Sequence, residues 1–490
     1  MGLSTSTKDF DTRVKESLDD AFMQKAVAKA QDDQWVKRET SRENLGNWEE
    51  WRDLGEQIRQ HTLENLDFYL EQFSDNVTKN GGKVFFASTE QEATDYVKDV
   101  IRQKNAKKIV KSKSMVTTEI DLDRLLLEMD GVSVMETDLA EFILQMDDWD
   151  EPSHIVFPDI HKNREQIRLV FKEKLGYDGD NEPEHMARFA REVLREFFLD
   201  ADVGITGCNF AIASSGMVNL VTNEGNADLC ESIPDTQIVL MGMERIVPNM
   251  ADAEVMDNLL SRSAVGQSLT SYITFSGPKL TEESDGPDDF HVVILDNKRS
   301  EALGTEFQSV LQCIRCGSCL NVCPVYRTIG GHGYGSIYPG PIGAVLSPVL
   351  GGYEQFGELP YASSLCGACT DTCPVKIPLH GLLVEHRRVM TDELKMGHGF
   401  VDKQMRFIAK ATSSPFLFKQ ALKFGHVGLG VLGAKPSSTT ENLYQYGGFI
   451  SGGFGLIKGW TSVRDLPRPP KERDNFRSWY KNREQGGAAK

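Results

Sequence analysis

The first 80 residues carry apolar side chains at the spacing of amphipathic helices. Apolar positions recur mostly at intervals of three and four residues, at Trp48, Trp51, Leu54, Ile58, Leu63, Leu66 and Leu70. This periodicity places them on one stripe of a helix surface. We therefore assign residues 1–81 to a helical N-terminal arm that packs against the rest of the chain.

From residue 82 the pattern changes to short apolar runs that alternate with amphipathic segments. The runs predict strands at "KVFFAS", "KKIVKSKS", "VSVMETD", "SHIVFPDI", "DVGITGCNFAIA", "MVNLVTN", "TQIVLMGMERIV" and "FHVVILDN". Helices are predicted between several of them, for example at "TEQEATDYVKDVIRQKN" and "EPEHMARFAREVLREFFLD". Such alternation predicts a doubly wound α/β domain over residues 82–300, with a central sheet covered by helices.

The chain beyond residue 300 divides by composition into two further regions. A helix-like segment, "SEALGTEFQSVLQCI", leads into a cysteine-rich region that we assign to residues 301–390. Residues 391–490 are rich in Gly, Pro and aromatic residues in their second half. From residue 401 onward there are 15 Lys and Arg against 6 Asp and Glu, so this tail is basic although the whole chain has a net charge of −18.

Charge and composition limit the partners and the compartment. The acidic body disfavours nucleic acid as a partner, because phosphate contacts need a cationic face. The start of the chain has no apolar segment of a signal peptide, and no uncharged apolar run reaches the ~18 residues of a membrane helix. We expect a cytoplasmic protein. Its basic tail is either an ordinary solvated surface or a means of peripheral contact with the inner face of the membrane.

Seven of the nine cysteines fall in two short runs with the spacing of iron–sulfur motifs. The first run is C-x2-C-x2-C-x3-C-P, with the cysteines Cys313, Cys316, Cys319 and Cys323. The second is C-x2-C-x3-C-P, with the cysteines Cys366, Cys369 and Cys373. In the bacterial ferredoxin pattern three cysteines of a run bind one cluster and the fourth binds the other. Zinc, the alternative, needs tetrahedral sets of four ligands, which a 4 + 3 arrangement fits poorly.

This crossover divides the cysteines into two ligand sets. Cluster one takes Cys313, Cys316, Cys319 and Cys373, and cluster two takes Cys323, Cys366 and Cys369. Alignment of the two runs places Ser363 where the eighth cysteine would stand. Two [4Fe–4S] clusters are therefore expected, and the second has an open corner. Three alternatives remain there: ligation by Ser363, ligation by water or another side chain, or a [3Fe–4S] cluster.

Two further stretches have the composition of ligand-binding turns. "GITGCNFAIASSGMVNLVTNEGN" predicts strand, turn and strand, with Ser214, Ser215 and Gly216 at the turn. Small polar residues at a strand end of an α/β domain often line a ligand site, although a tight turn between buried strands explains them equally. In "KSKSM", Lys111 and Lys113 either bind an anion or are simply exposed. The uncharged connector between the cysteine runs, residues 328–353, predicts burial or an interface.

The chain resembles the lactate utilization protein B family, the iron–sulfur subunits of bacterial L-lactate oxidation systems. The resemblance rests on motifs spread over most of the chain, "NLGNWEEWR", "KIVKSKSMVTTEI", "ETDLAEFILQ", "DVGITGCNFAIASSGMVNLVTNEGN", "VLMGMERIVP", "GTEFQSVLQCIRCGSCLNVCPVYR", "GGHGYGSIYPGPIGAVLSP" and "LPYASSLCGACTDTCPVKIPLH". It implies that residues 82–300 form a lactate-utilization (LUD) domain, similar in fold to sugar-phosphate isomerases and CoA-transferases. It also implies a two-cluster ferredoxin-like module over 304–390, with the cluster ligands on the seven cysteines assigned above.

The resemblance implies an electron-transfer subunit that acts with two companion subunits in oxidising L-lactate to pyruvate. The acceptor is then a quinone or a soluble carrier, and the sequence does not distinguish the two. Two other functions stay open. The α/β domain itself could bind the hydroxy acid or a cofactor near Ser214–Gly216 and act as the catalyst. Alternatively, the clusters could be structural elements of a non-redox ligand-binding protein.

Overall fold

The structure is a computed structural model. It describes residues 2–280, 283, 286–396, 399–431, 449–450, 458, 461, 465–467 and 476–484. The chain separates into two compact units, residues 1–394 and 395–490. The predicted arm, α/β domain and cysteine region all lie in the first unit, and the basic tail forms the second apart from residues 391–394.

The N-terminal arm is helical. Its helices are α1 (Phe10–Asp19), α2 (Ala21–Leu45), α3 (Trp48–Glu64) and α4 (Leu66–Lys79). Asp9 and Asp20 cap the first two helices, because each carboxylate accepts a backbone N–H of the first turn. Trp48 and Ile58 are buried in one continuous core with Cys316 and Cys319. The arm is thus part of the layer that encloses the cysteine region.

The α/β region contains two sheets. Its strands are β1 (Lys83–Ala87), β2 (Lys108–Lys111), β3 (Ser133–Glu136), β4 (Val203–Thr206), β5 (Phe210–Ile212), β6 (Met217–Thr222), β7 (Thr236–Gly242), β8 (Ile246–Val247), β9 (Tyr272–Ser276) and β10 (Asp289–Leu295). Six strands form a parallel sheet in the order β1-β10-β7-β4-β2-β3. The others form a mixed sheet in the order β8-β5-β6-β9.

Helices connect these strands and cover the parallel sheet. They are α5 (Glu90–Lys104), α6 (Met115–Glu119), α7 (Leu122–Leu127), α8 (Leu139–Met146), α9 (Arg164–Leu175), α10 (Pro183–Leu199), α11 (Asn226–Ser232) and α12 (Met250–Val265). In β7, Ile238 and Leu240 enter one core cluster, whereas Val239 and Met241 enter another. Because alternate residues of a strand face opposite sides, both faces of the sheet are buried there. The mixed α/β class predicted from the sequence is confirmed, and the structure shows that its larger sheet is parallel.

Three strand predictions need correction, and one strand was missed. "TQIVLMGMERIV" is not one strand, because β7 and β8 belong to different sheets and the 3₁₀ turn Met243–Arg245 separates them. "DVGITGCNFAIA" is not one strand: β4 and β5 belong to different sheets, and Gly207–Asn209 turn between them. "SHIVFPDI" forms no strand but an irregular segment, in which the buried His154 accepts the backbone N–H groups of Val156 and Phe157 at its Nδ1 atom. Strand β9 was not predicted. It pairs with β6 and is only half buried, so its apolar pattern is weak.

The cysteine region is built from short helices. They are α13 (Arg299–Ala302), α14 (Ser318–Asn321), α15 (Pro324–Ile329), α16 (Gly340–Gly351), α17 (Tyr353–Phe356), α18 (Ala368–Thr372) and α19 (Leu379–Arg388). The 3₁₀ helices of the first unit, which includes the α/β region, are Met243–Arg245, Gln308–Gln312, His332–Tyr334 and Leu359–Tyr361. A π-helical turn covers Val389–Glu393. The uncharged connector is buried, as predicted, since nearly all of α16 is shielded from solvent.

The second unit is described only in part. It contains helices α20 (Gly399–Ser413), α21 (Pro415–Val431) and α22 (Phe476–Glu484), and β11 (Phe449–Ile450) pairs antiparallel with β12 (Leu466–Pro467). Much of the basic, Gly-rich sequence of the predicted tail lies outside the described residues. Within the described part of the chain, no helix combines the length and the apolarity that crossing a membrane requires.

Candidate metal centre

The first cavity of the cysteine region brings together the four cysteines assigned to cluster one. Cys313, Cys316, Cys319 and Cys373 all line it. Cys373 comes from the second run and reaches this cavity at the end of α18. The other lining groups are mostly apolar, among them Ile342, Val375 and Ile377. The cavity is therefore a dry pocket whose chemistry comes from four thiols.

A second cavity holds the cysteines assigned to cluster two. Cys323, Cys366 and Cys369 line it together with Ser363 and His380. Ser363 thus lies at the second cavity and not at the first. The alignment of the two runs places the open corner at the same cavity. Cys366 is exposed, whereas Cys323 and Cys369 are buried. The second cavity is consequently nearer to the solvent than the first.

The two cavities adjoin. Helix α14 carries Cys319 of the first set and is followed by Cys323 of the second. Helix α18 likewise carries Cys369 of the second set and is followed by Cys373 of the first. At each helix only four positions along the chain separate a cysteine of one set from a cysteine of the other. The arrangement is suited to two redox centres that exchange electrons directly.

The local backbone fits iron–sulfur clusters. The N–H groups of Arg315, Tyr326 and Ile377 lie 3.4 Å from the sulfurs of Cys313, Cys323 and Cys373, respectively. Such N–H···S contacts are what cluster thiolates use in place of water. Two other turns of the cysteine runs have left-handed backbone, at Gly317 (φ 72°) and Gly367 (φ 83°), a conformation that glycine adopts without the strain of a Cβ atom. In both runs the glycine directly follows a cysteine, Cys316 in the first and Cys366 in the second.

Burial holds several of these thiols in the protonated form. Burial raises the pKa of Cys373 to about 12 and that of Cys369 to about 11. A coordinated metal deprotonates its thiol ligands outright, so cluster assembly must release these protons. Among the described residues, no three His, Cys, Asp or Glu side chains are grouped closely enough to hold a single metal ion.

Buried arginines surround the first cavity, and sequence reasoning did not identify them. Arg52 donates through Nε to the carbonyl of Cys373 (2.9 Å), and Arg245 donates through Nη1 to that of Cys313 (3.3 Å). Arg38 and Arg59 bind the carbonyls of Thr372 and Leu311 at 2.9 and 3.0 Å. Burial lowers the pKa of both Arg38 and Arg59 to about 10, so both stay charged near neutral pH. This positive surrounding favours the more negative, reduced form of a cluster.

Two side chains at the second cavity could complete its open corner. Ser363 Oγ accepts the backbone N–H of Leu365 at 3.1 Å, which fixes the hydroxyl in a local turn. His380 Nδ1 lies 2.8 Å from Thr370 Oγ1, which fixes the orientation of the ring and leaves Nε2 as the second ring nitrogen. Histidines that bind metals commonly have their other nitrogen held in this way. His380 is a site residue that sequence reasoning missed, since it lies outside the cysteine spacing.

The turn at Ser214–Gly216 lies elsewhere. It joins β5 to β6 as predicted, but it packs against helix α4. Asn76 Nδ2 donates to the carbonyl of Ala213, and Asn80 Nδ2 donates to that of Ser215. A Cβ atom on Gly216 would approach the backbone of Val77 to 2.6 Å. The structure therefore does not bring this turn together with either cysteine cavity, and its small residues serve close packing against a helix.

The two lysines of "KSKSM" have different surroundings. Lys111 is fully buried and pairs with Glu136 (2.5 Å) and Asp123 (3.3 Å), so it is neither exposed nor free to bind an anion. Lys113 donates to the carbonyl of Val156 at 3.2 Å and lines a third cavity at the edge of the parallel sheet.

Comparison with known proteins matches the two halves of this architecture. The model of the LUD domain matches residues 70–295, and that of the 4Fe-4S dicluster domain matches residues 309–377. Lactate utilization protein B of Bacillus cytotoxicus is 55% identical over 99% of this chain and 100% of the relative. The chain belongs to the lactate utilization protein B family.

Other members of the lactate utilization protein B family match equally over their whole length. Lactate utilization protein B 2 of Bacillus mycoides and lactate utilization protein B of Bacillus cereus (strain B4264) are each 54% identical over 99% of this chain and 100% of the relative. A solved DUF162 family protein from Deinococcus radiodurans aligns with 47% of this chain and 98% of its own at 14% identity, with a TM-score of 0.27. So low a score supports no argument about the fold.

Proposed function

We propose that this chain is the iron–sulfur electron-transfer subunit in the oxidation of L-lactate to pyruvate. It would relay electrons from partner subunits through two [4Fe–4S] clusters. The observation that carries the proposal is the division of the seven cysteines between two adjoining cavities, one buried and one reaching the surface. The names of its full-length relatives supply the substrate.

The protein's own groups would prepare each centre for electron transfer. Bound clusters supply one-electron redox chemistry. Four thiolates would hold cluster one, and Arg52 and Arg245 would stabilise its added electron through the carbonyls they contact. Three thiolates would hold cluster two beside the solvent. The buried first cavity and the accessible second one provide an internal and an external end for the relay.

Companion lactate-utilization subunits would supply the electrons. The α/β region, residues 82–300, contains no G-x-G-x-x-G dinucleotide motif, so we assign the two-electron step to a partner. A quinone or a soluble carrier would accept the electrons. Peripheral contact with a membrane through the basic tail stays a prediction, because most of that sequence lies outside the described residues.

Reduction by L-lactate tests the relay. Anaerobically reconstituted protein alone is expected to show no bleaching of its iron–sulfur absorption with L-lactate. Addition of the companion subunits should make both clusters reducible by the substrate, as followed by visible absorption and EPR. Dithionite-reduced protein is the positive control for competent clusters. Lactate-driven reduction without any partner would refute the relay and favour direct catalysis by this chain.

The fourth ligand of cluster two can be tested by paired substitutions. Ser363→Ala is expected to change only the EPR signal of cluster two and to leave that of cluster one intact, because Ser363 lines only the second cavity. His380→Ala serves as the matched variant, and loss of a strong ¹⁴N coupling there would identify the imidazole instead. Unchanged spectra in Ser363→Ala would remove the hydroxyl as a ligand. If the EPR signal of cluster two is unchanged in both variants, the remaining alternatives for this corner are water or a [3Fe–4S] cluster.

The alternative function, in which lactate or a cofactor binds near Ser214–Gly216, receives no support from the contacts of that turn. Its carbonyls are occupied by Asn76 and Asn80, and its glycine is closely covered by α4. A purely structural role for the clusters predicts that neither can be reduced reversibly at any accessible potential, which a redox titration of the protein would reveal.

A further inference from the structure

The third cavity lies where the parallel sheet changes direction. The chain leaves β2 toward β3 on one side, whereas it leaves β4 toward β7 on the other, and β2 and β4 are neighbours. Ligands of open α/β sheets bind in the crevice at the carboxyl ends of strands at such a switch point. Ser112–Ser114 follow β2 and Gly207–Asn209 follow β4, and both segments line this cavity. Its volume of about 500 Å³ is that of a small-molecule site.

A buried cation with unused donors lies on its wall. Arg315 lines both this cavity and the first cysteine cavity, and its side chain is only 8% exposed. One nitrogen, Nη2, lies 3.4 Å from Glu244 Oε1. The other two, Nε and Nη1, are buried and have no hydrogen-bond partner. Buried donors are rarely left unpaired in native proteins, and each one costs free energy.

Arg245 adds a second guanidinium to the same wall. It is buried, and it binds the carbonyl of Cys313 through Nη1. Arginine is the side chain that best holds a planar carboxylate or a phosphate through two parallel hydrogen bonds. Asp138, Asp159 and Glu224 also line the cavity, and the carboxylates of Asp138 and Glu224 accept the backbone N–H groups that begin α8. Of the two arginines, Arg315 is the one with buried donors that have no hydrogen-bond partner, so the unused hydrogen-bonding capacity of the pair lies there.

We propose that this cavity binds an anionic ligand whose carboxylate or phosphate group pairs with Arg315 and Arg245. The bound group would lie beside the loop that carries Cys313 and Cys316, and thus beside cluster one. Two sources share this chemistry: a small 2-hydroxy or 2-oxo acid, and a phosphorylated redox cofactor. The site does not depend on the relay proposed above, because it requires only the cavity and its two guanidinium groups.

Calorimetry of the cluster-loaded protein with pyruvate, flavin mononucleotide and inorganic phosphate tests the site. At least one probe is expected to bind saturably, and the probe that binds distinguishes a carboxylate from a phosphate ligand. Arg315→Gln should weaken binding about tenfold or more, because it removes a charge-assisted pair. Bound anion should also shift the midpoint potential of cluster one to a more negative value.

A second variant tests the site without a substitution in the loop that carries Cys313 and Cys316. Ala140 lines the cavity from the first turn of α8, away from the cysteines, so Ala140→Phe should block binding while both cluster signals persist. Arg102→Gln, at an exposed guanidinium paired with Asp99, is the matched control and should bind like the unaltered protein. The proposal is overturned if none of the three probes binds at millimolar concentration. It is equally overturned if neither Arg315→Gln nor Ala140→Phe weakens the binding that is seen.

Discussion

Cys323→Ala is expected to remove the cluster of the second cavity and to lower the iron content of the protein by about half. Cys323 is the last cysteine of the first run, yet it lines the cavity of Cys366 and Cys369. The substitution leaves two thiolates there, too few to hold a cluster. The four thiolates of the first cavity are untouched, so the EPR signal of cluster one should persist.

The reciprocal variant makes this result specific. Cys373→Ala should alter only cluster one, although Cys373 belongs to the second run, and three thiolates would remain in that cavity. Cys230→Ala, at a buried thiol outside both cavities, is the matched control and should keep all iron. Iron analysis and EPR of the reduced proteins make the comparison. Loss of the cluster one signal in Cys323→Ala would contradict the crossover assignment.

The sequence could predict this arrangement because cysteine spacing is local. Cys313, Cys316 and Cys319 reach one cavity because the turn between them is short, and Gly317 permits it. The apolar runs of β2, β7 and β10 are equally local signals, and they predicted the parallel sheet. A position such as Ser363 could be placed by register alone, since the second run copies the spacing of the first.

The surroundings of the centres could not be predicted in the same way. Arg52 and Arg59 lie on α3, more than 250 residues before the cysteines whose loops they contact. On the sequence they are ordinary polar positions of an amphipathic helix. Their role exists only after the helix packs against the cysteine region. Arg315 is similar, because its unpaired nitrogens follow from a cavity that separate segments enclose.

The link between the α/β domain and the cysteine region rests on a buried ion-pair network, which sequence also could not reveal. Arg299 is fully buried and binds Glu119 through both terminal nitrogens, at 2.9 and 2.7 Å. Its Nε donates to Glu244 at 2.8 Å. Tyr338, from the connector between the cysteine runs, donates its hydroxyl to Glu119 at 2.8 Å. Three distant parts of the chain thus meet at one guanidinium.

Arg299→Met is expected to destabilise the first unit by about 3–5 kcal/mol, because it leaves the carboxylates of Glu119 and Glu244 buried without their main counter-charge. Urea unfolding of the protein, followed by circular dichroism, measures the change. Arg102→Met removes an exposed guanidinium paired with Asp99 at 2.7 Å and should change the free energy of unfolding by less than about 1 kcal/mol. A loss in Arg299→Met no larger than in this control would show that the network does not stabilise the fold.

The pH dependence of unfolding checks the same network without a substitution. Burial alone would raise the pKa of Glu244, but the charges of Arg299, Arg245 and Arg315 outweigh burial and lower it to about 2. The folded state therefore binds fewer protons than the unfolded state, in which a glutamate has a pKa of about 4.3. The contribution of Glu244 to stability is complete above that value and is lost as the pH falls toward 2. In Arg299→Met the pKa of Glu244 should rise, so this acid-sensitive part of the stability should shrink, whereas Arg102→Met should retain it.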